Sequence, residues 1–216
     1  TVQFVKGDVR DFETTRQACK NIDSVVHIAA LISVSFSVKN PATTFDVNAN
    51  GTANLLKSCL KNSVRRFLLV SSCAVYGEPE YLPLDEEHPT HPISPYGSSK
   101  LAAESRCRDM GKDGRLRTNV LRLFNVYGSR QGLNGYGGVI SSFLGNAKNG
   151  KPLVIYGDGS QTRDFVHVRD VANSIFETVQ RDVDCEVLNI AYGRPVTINE
   201  LAKQVLQVSG MDTEIQ

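Results

Sequence analysis

The sequence predicts an α/β fold, a doubly wound parallel sheet followed by a smaller C-terminal part, and three observations carry that reading. Short apolar runs alternate with helical patterns from the first residue onward, as they do where crossover helices join the strands of a parallel sheet. A capping residue followed by proline recurs at Asn40-Pro41 and Ser94-Pro95, each time between two strand candidates, which is how such helices start. Apolar residues make up 41% of the 216 and charged ones 22%, the proportions of a chain that buries a sizeable core.

Taken in order, the strand candidates are Val2 to Val5, Ser24 to Ile28, Arg66 to Val70 and Asn119 to Leu123. The helix opening at Asn40-Pro41 carries Phe45, Ala49, Ala53, Leu56 and Leu60 on one face and completes one βαβ crossover. A second helix runs from Ser94-Pro95 through Tyr96, Lys100 and Leu101 toward Gly111. Val139, Ile140, Phe143, Leu144 and Ala147 mark a third, and Val171, Ile175 and Val179 a fourth. The last opens with a capping box, Thr197 to Glu200, and continues through Leu201, Val205 and Val208. No glycine-rich turn precedes Asp8, and the first strand run ends directly in Gly7-Asp8-Val9-Arg10-Asp11. Dinucleotide folds normally start with strand, glycine-rich turn and helix, so the chain is expected to begin partway through its domain.

Charge and cysteine content remove several function classes. Lys plus Arg (24) nearly balances Asp plus Glu (23), which leaves no long-range field to attract nucleic acid or an anionic membrane. No apolar run approaches the roughly 18 residues of a membrane helix, and no signal-peptide layout opens the sequence. A cytoplasmic protein is expected. Cys19, Cys59, Cys73, Cys107 and Cys185 are scattered without a CxxC pair, so reduced thiols are expected rather than disulfides or a metal site.

The strongest chemical signal is Tyr96-Gly-Ser-Ser-Lys100, with Ser71-Ser72 at the end of a strand. Positions four apart share a helix face, so the tyrosine hydroxyl and lysine ammonium can share one cleft. A nearby ammonium stabilises tyrosinate and is expected to lower the tyrosine pKa toward working pH. A serine at the C-terminal end of a strand can orient the same alcohol. The bland alternative for the tyrosine-lysine pair is a solvated helix face.

Seven stretches in order resemble the extended short-chain dehydrogenase/reductase family and, within it, the NAD-dependent nucleotide-sugar epimerases. They are Gly7-Asp8-Val9-Arg10-Asp11, His27-Ile-Ala29-Ala30, Asn48-Ala-Asn-Gly-Thr52, Ser71-Ser72-Cys-Ala-Val-Tyr-Gly77, Ser94-Pro-Tyr96-Gly-Ser-Ser-Lys100, Leu121-Arg-Leu-Phe-Asn125-Val-Tyr-Gly128 and Arg163-Asp-Phe-Val-His-Val-Arg-Asp170. The resemblance implies a partial Rossmann-like sheet, with an NAD-binding domain over residues 1–125 that lacks its first βαβ segment. Residues 126–216 are then a substrate-binding part, with about 160–190 returning to the first core. It also implies Tyr96 as acid/base, Lys100 on the nicotinamide ribose, and Ser72 on the sugar hydroxyl. Asp8 and Val9 are implied at the adenine, Ala29, Ala30 and Ser71 along the cofactor groove, and Asn48 near the active-site strands. Asn125 and Arg163 are implied on the nucleotide diphosphate, where a guanidinium fork suits phosphate. Plain alternatives stay open: Asp8 as a turn cap, Asn48 as a buried side chain satisfying backbone, and Arg163 paired with Asp164. His167 is assigned to packing, and Gly135 to Gly138 with Tyr136 to a candidate substrate loop.

The residues after Ser72 choose between reactions. By resemblance, dehydratases carry Asp-Glu there and related decarboxylases keep the Glu, whereas this chain has Cys73-Ala74. Neither side chain moves a proton to a leaving hydroxyl as a carboxyl does. The expected reaction is C4 epimerisation of a UDP-sugar, UDP-glucose/UDP-galactose or an N-acetyl analogue, through a transient 4-keto form. Two rivals are an NADP-dependent reductase or reducing epimerase, and a non-catalytic nucleotide-binding module. A homodimer paired through the tyrosine helix, with Leu101, Ala102 and Met110 as contact candidates, is also implied. So is a further segment beyond the last helix, and the chain as given is expected to bind cofactor poorly.

Overall fold

The structure, a computed structural model, describes residues 2–112, 114–132, 138–181 and 186–216. Gly135 to Gly137, with Tyr136, and Cys185 therefore lie outside the described residues. In chain order the elements are α1 (Phe12–Ala18), β1 (Ser24–His27), α2 (Val34–Lys39), α3 (Pro41–Phe45), α4 (Gly51–Lys61), β2 (Arg66–Ser72), α5 (Pro95–Gly111), β3 (Arg117–Leu123), β4 (Asn125–Tyr127), α6 (Gly138–Lys148), β5 (Thr162–His167), α7 (Val168–Gln180), β6 (Val187–Ile190), β7 (Pro195–Thr197) and α8 (Ile198–Ser209). They form two compact units, Thr1–Leu123 with Asn173–Asn189 and Phe124–Ala172 with Ile190–Gln216.

The first unit is built on a sheet of order β1-β2-β3-β6. β1 pairs parallel with β2, and β2 with β3, in a register that sets Val25 beside Phe67 and Phe67 beside Thr118. Both β2 and β3 are buried through their middle five residues, which explains their continuous apolar runs. Phe67, Leu69 and Val120 pack with Leu56 and Cys59 of α4 and with Ala103 and Cys107 of α5. Each such large side chain contributes roughly 2 kcal/mol of burial. Cys19, Cys59, Cys73 and Cys107 are in no disulfide, and all but Cys73 are buried.

Two elements differ from the sequence expectation. Val2 to Val5 form no strand; Val2 is 96% and Phe4 87% exposed. A strand needs a paired and covered neighbour, and this run has neither, so its β propensity goes unused. The helix expected from Asn40 is broken into α3, a π-type turn at Asp46–Asn50, and α4. The extra residue in a π turn rotates the inward face. Thr44, Asn48, Thr52 and Leu56 are therefore buried, while Phe45 is exposed and Ala53 only half-buried. Nor does the Asn40 side chain cap α3; its backbone N–H closes α2 on Phe36 O at 2.8 Å.

The other starts form as read. Ser94 Oγ accepts from Gly97 N at 3.1 Å, and Thr197 and Glu200 close their capping box at 3.1 and 3.0 Å. In the second unit β4 pairs parallel with β5, and β5 antiparallel with β7. Its core joins Phe143 and Ala147 of α6 to Leu201, Ala202 and Val205 of α8 around Leu153.

Candidate functional site

The first unit gathers Ser72, Tyr96 and Lys100 at the C-terminal end of β2. Ser72 is the last residue of the strand, and its Oγ accepts from Ala74 N at 3.2 Å to start a 3-10 turn over Cys73–Val75. α5 comes hard against that turn because Gly97 has no side chain: a Cβ there would strike the Ala74 carbonyl oxygen and sit 2.9 Å from Pro92 Cβ. Tyr96 is buried, its hydroxyl near enough to Ser72 for that side chain to favour the ionised form, and its backbone N–H donates to Ser37 Oγ at 3.1 Å. Lys100, one helical turn on, is 4% exposed and donates from Nζ to Val70 O at 2.6 Å.

The electrostatics differ from the simple expectation that Lys100 lowers the tyrosine pKa. Burial raises Tyr96 above its ordinary value, and the Ser72 side chain opposes the rise. Burial likewise pushes Lys100 down to about 8, opposed by the charge of Glu104 and by Cys107. Low dielectric disfavours the charged form of both groups, and the ammonium directs a donor at the Val70 carbonyl.

Beneath them lies a buried network that the sequence reading did not single out. Glu104, 1% exposed, accepts from Ser71 Oγ at 2.5 Å and from Arg122 Nη2 at 2.8 Å. Arg122 donates from Nη1 to Tyr76 Oη at 3.0 Å and stands over the Tyr76 ring at 4.8 Å. Tyr76 Oη donates to Asn189 Oδ1 at 2.7 Å. A signal was present: an arginine inside the apolar run of β3 and a glutamate four residues after Lys100 are opposite charges at core positions, where unpaired charge is scarcely tolerated.

The other expected cofactor contacts fall around this centre. Ala29 and Ala30 follow β1, the first exposed and the second half-buried. Asn48, 2% exposed, holds their loop: Oδ1 accepts from Leu31 N at 2.8 Å, and Nδ2 donates to Leu31 O at 3.0 Å and to Ser99 Oγ at 2.9 Å. Its amide is thus taken up by backbone and by α5. Ser71 faces Glu104. The Asp8 carboxylate accepts from Arg10 Nη2 at 2.6 Å and Arg10 N at 2.9 Å, and the guanidinium holds it down to about 2. Val9 O accepts from Asn54 Nδ2 at 3.2 Å.

The second unit contains a cavity of about 300 Å³ lined by Asn125, Gln161 and Arg163, with Tyr156 at its edge and Val139, Phe143 and Ile198 among its apolar walls. Asn125 Nδ2 donates to Asp164 O at 3.0 Å, and Arg163 Nη1 to Thr162 O at 2.7 Å. Asp164 is engaged elsewhere, accepting from the backbone N–H groups of Tyr192, Gly193 and Arg194 at 2.7 to 2.9 Å. Gln161 and Tyr156 were not foreseen, since polar residues in a loop carry no periodic signal. His167 packs edge-on against Tyr127 at 5.3 Å. Among the described residues no His, Cys, Asp or Glu cluster could hold a metal ion, and no helix is long and apolar enough to cross a membrane.

Similarity to known proteins bears on both units. A Methanocaldococcus jannaschii protein with the provisional name UDP-glucose 4-epimerase is 40% identical over 201 residues, 92% of this chain and 65% of its own. The chain thus spans just under two thirds of the length of that relative. The UDP-glucose 4-epimerase of Thermotoga maritima, crystallised with UDP-glucose, superposes with a TM-score of 0.94 at 32% identity over 100% of this chain and 71% of its own. That of Thermus thermophilus, in complex with NAD, gives 0.92 at 34%, over 100% and 71%. Residues 1–191 match the model of the NAD dependent epimerase/dehydratase family, and the chain belongs to that family.

Proposed function

We propose that the protein carrying this chain interconverts UDP-sugars at C4, UDP-glucose and UDP-galactose or their N-acetyl analogues, through a transient 4-keto sugar and bound NAD. The observation that carries the reading is the Ser72–Tyr96 hydroxyl pair beside buried Lys100, followed by Cys73 and Ala74. The family includes epimerases and dehydratases, so the reaction rests on these residues. With no carboxyl after Ser72, nothing at those two positions serves to expel a hydroxyl from the keto sugar.

The residues suit the nicotinamide end of such a cofactor. An ammonium has three N–H groups, and Lys100 gives one to Val70 O, leaving two for a ribose diol. Ala29 and Ala30 offer backbone at the strand end. At the adenine, Asp8 would act beside Arg10 rather than alone. NAD, when bound, supplies a hydride acceptor and donor for the carbinol carbon. Ser72 Oγ orients the C4 hydroxyl, and the phenolate of Tyr96, the form that the Ser72 side chain favours, takes its proton and returns it. In the second unit, Asn125 and Arg163 hold the diphosphate and the apolar walls hold the base. Binding remote from the reacting carbon then retains the keto sugar while it turns over. Action in the cytoplasm and self-pairing through α5, where Leu101 and Ala102 are half-buried, belong to the same reading.

The test uses the full-length protein that carries this sequence. Tyr96→Phe is expected to lower kcat by about 100-fold or more, the usual worth of a positioned acid/base, with UDP affinity unchanged. Activity within a few-fold of native would return the chain to the class of nucleotide-binding modules.

A further inference from the structure

Three features of the first unit lie outside this chemistry: the buried thiols Cys19, Cys59 and Cys107, the buried imidazole His27, and the ion pair Glu104–Arg122. Only the last touches the reacting groups through more than one path. Ser71 and Arg122 are register partners on β2 and β3, and Glu104 of α5 closes over both. On the strand, Glu104 grips the residue immediately before Ser72; through Arg122 it reaches Tyr76, four residues after. On the helix, Tyr96, Lys100 and Glu104 recur every four residues and so share a face. The pair therefore ties the Ser72 turn, at both its ends, to the helix that carries Tyr96 and Lys100.

We propose that Glu104, clamped by Arg122 and Ser71, is the positioning residue that sets Ser72, Tyr96 and Lys100 relative to one another; the part concerning catalysis rests on the epimerase reading. A buried ion pair adds little net stability compared with apolar residues of the same shape. What it supplies is direction, since a guanidinium fork and a carboxylate lock each other's geometry. Among the described residues, the charged or titratable groups around Lys100 are Tyr96, Glu104 and Cys107 on its own helix and His27 on β1, with Arg122 of β3 paired to Glu104. Of these Glu104 is the anion, and it holds the lysine up against the downward effect of burial.

The first arm needs neither substrate nor cofactor. Lysine Cε is labelled with carbon-13, and Lys100 is assigned by the resonance lost in Lys100→Met. Lys100 is expected to titrate near pH 8 in the native protein and about one unit lower in Glu104→Gln, as loss of an adjacent opposite charge dictates. The second arm separates charge from position in the full-length protein. Glu104→Asp keeps the charge but withdraws it, so the Lys100 midpoint is expected to stay near native while kcat falls at least tenfold, misplacement of about 1 Å being enough for that. KM for the UDP-sugar is expected to stay within about threefold, because no substrate contact is removed. Should Glu104→Gln alone not fold, Glu104→Gln with Arg122→Gln removes both buried charges, and its Lys100 midpoint is still expected below the native one. An unchanged midpoint in the folded glutamine variants would overturn the proposal, as would native kcat in Glu104→Asp. A native protein without epimerase activity would instead sink the proposed function, leaving the titration to decide on Glu104.

Discussion

Replacing Asn48 with leucine removes the clamp between the loop after β1 and the helix that bears Tyr96. Asn48 is 2% exposed, and leucine has nearly its shape, so the change acts through hydrogen bonding rather than through a cavity. The Leu31 N–H and C=O lose their partners at 2.8 and 3.0 Å. Ser99 Oγ loses a donor but keeps its bond to Tyr96 O at 2.7 Å. Two half-buried backbone groups left unpaired, with a smaller loss at Ser99, come to roughly 3 to 4 kcal/mol. The extra apolar surface of leucine offsets about 1 of these. The net loss is therefore about 2 to 3 kcal/mol, which in a protein of this size lowers Tm by roughly 5 to 10 °C. Urea unfolding followed by circular dichroism measures it, with an unchanged slope showing that the native state kept its compactness. A loss below about 1 kcal/mol would mean that the three bonds do not hold the loop, and that Ala29 and Ala30 owe their place to something else.

Three further outcomes follow from the same geometry. Burial holds His27 down to about 4, against about 6.5 in an unfolded chain. The unfolded chain therefore binds the extra proton first, and the stability this group contributes is present above pH 6.5 and lost as pH falls toward 4. The loss is about 3 kcal/mol, and His27→Gln is expected to flatten that part of a denaturation series run from pH 4.5 to 7.5; an identical slope in both proteins would contradict the assignment. Gly97→Ala puts a methyl against the Ala74 carbonyl, so α5 must retreat from the Ser72 turn. The fold is expected to persist with kcat reduced by about 10-fold or more, and native kcat in steady-state assays would show that the approach is not needed. Arg163→Met, in the cavity of the second unit, is expected to weaken UDP binding by roughly 10-fold or more, as loss of a charged donor to phosphate does; unchanged affinity by calorimetry would take Arg163 out of the nucleotide site.

Elements with local grammar were legible in the sequence. Ser94 and Thr197 cap their helices as read, because a cap is decided by a few adjacent residues. β2 and β3 were legible because strands buried on both faces write continuous apolar runs. The misread elements depended on distant partners. Val2 to Val5 have strand composition but no strand to pair with, and the π turn at Asp46–Asn50 answers to what Asn48 must reach on Leu31 and Ser99. In the site, Ser72, Tyr96 and Lys100 were legible because four-residue spacing is a property of the helix itself. Glu104 and Arg122 are 18 residues apart in sequence, and only the packing of α5 over β2 and β3 makes them a pair. The tyrosine pKa was misjudged for a related reason: spacing shows that two groups are near, whereas burial, which dominates both shifts, is a property of the fold.

The most direct measurement incubates the full-length protein with UDP-glucose, follows the sugar C4 configuration by proton NMR, and monitors the nicotinamide absorbance band in the same sample. UDP-galactose is expected to form up to an equilibrium mixture with no net change in reduced nicotinamide. Net consumption of reduced cofactor, or a dehydrated sugar in place of the C4 epimer, would contradict the assignment of Ser72, Tyr96 and Lys100 to a self-contained epimerisation.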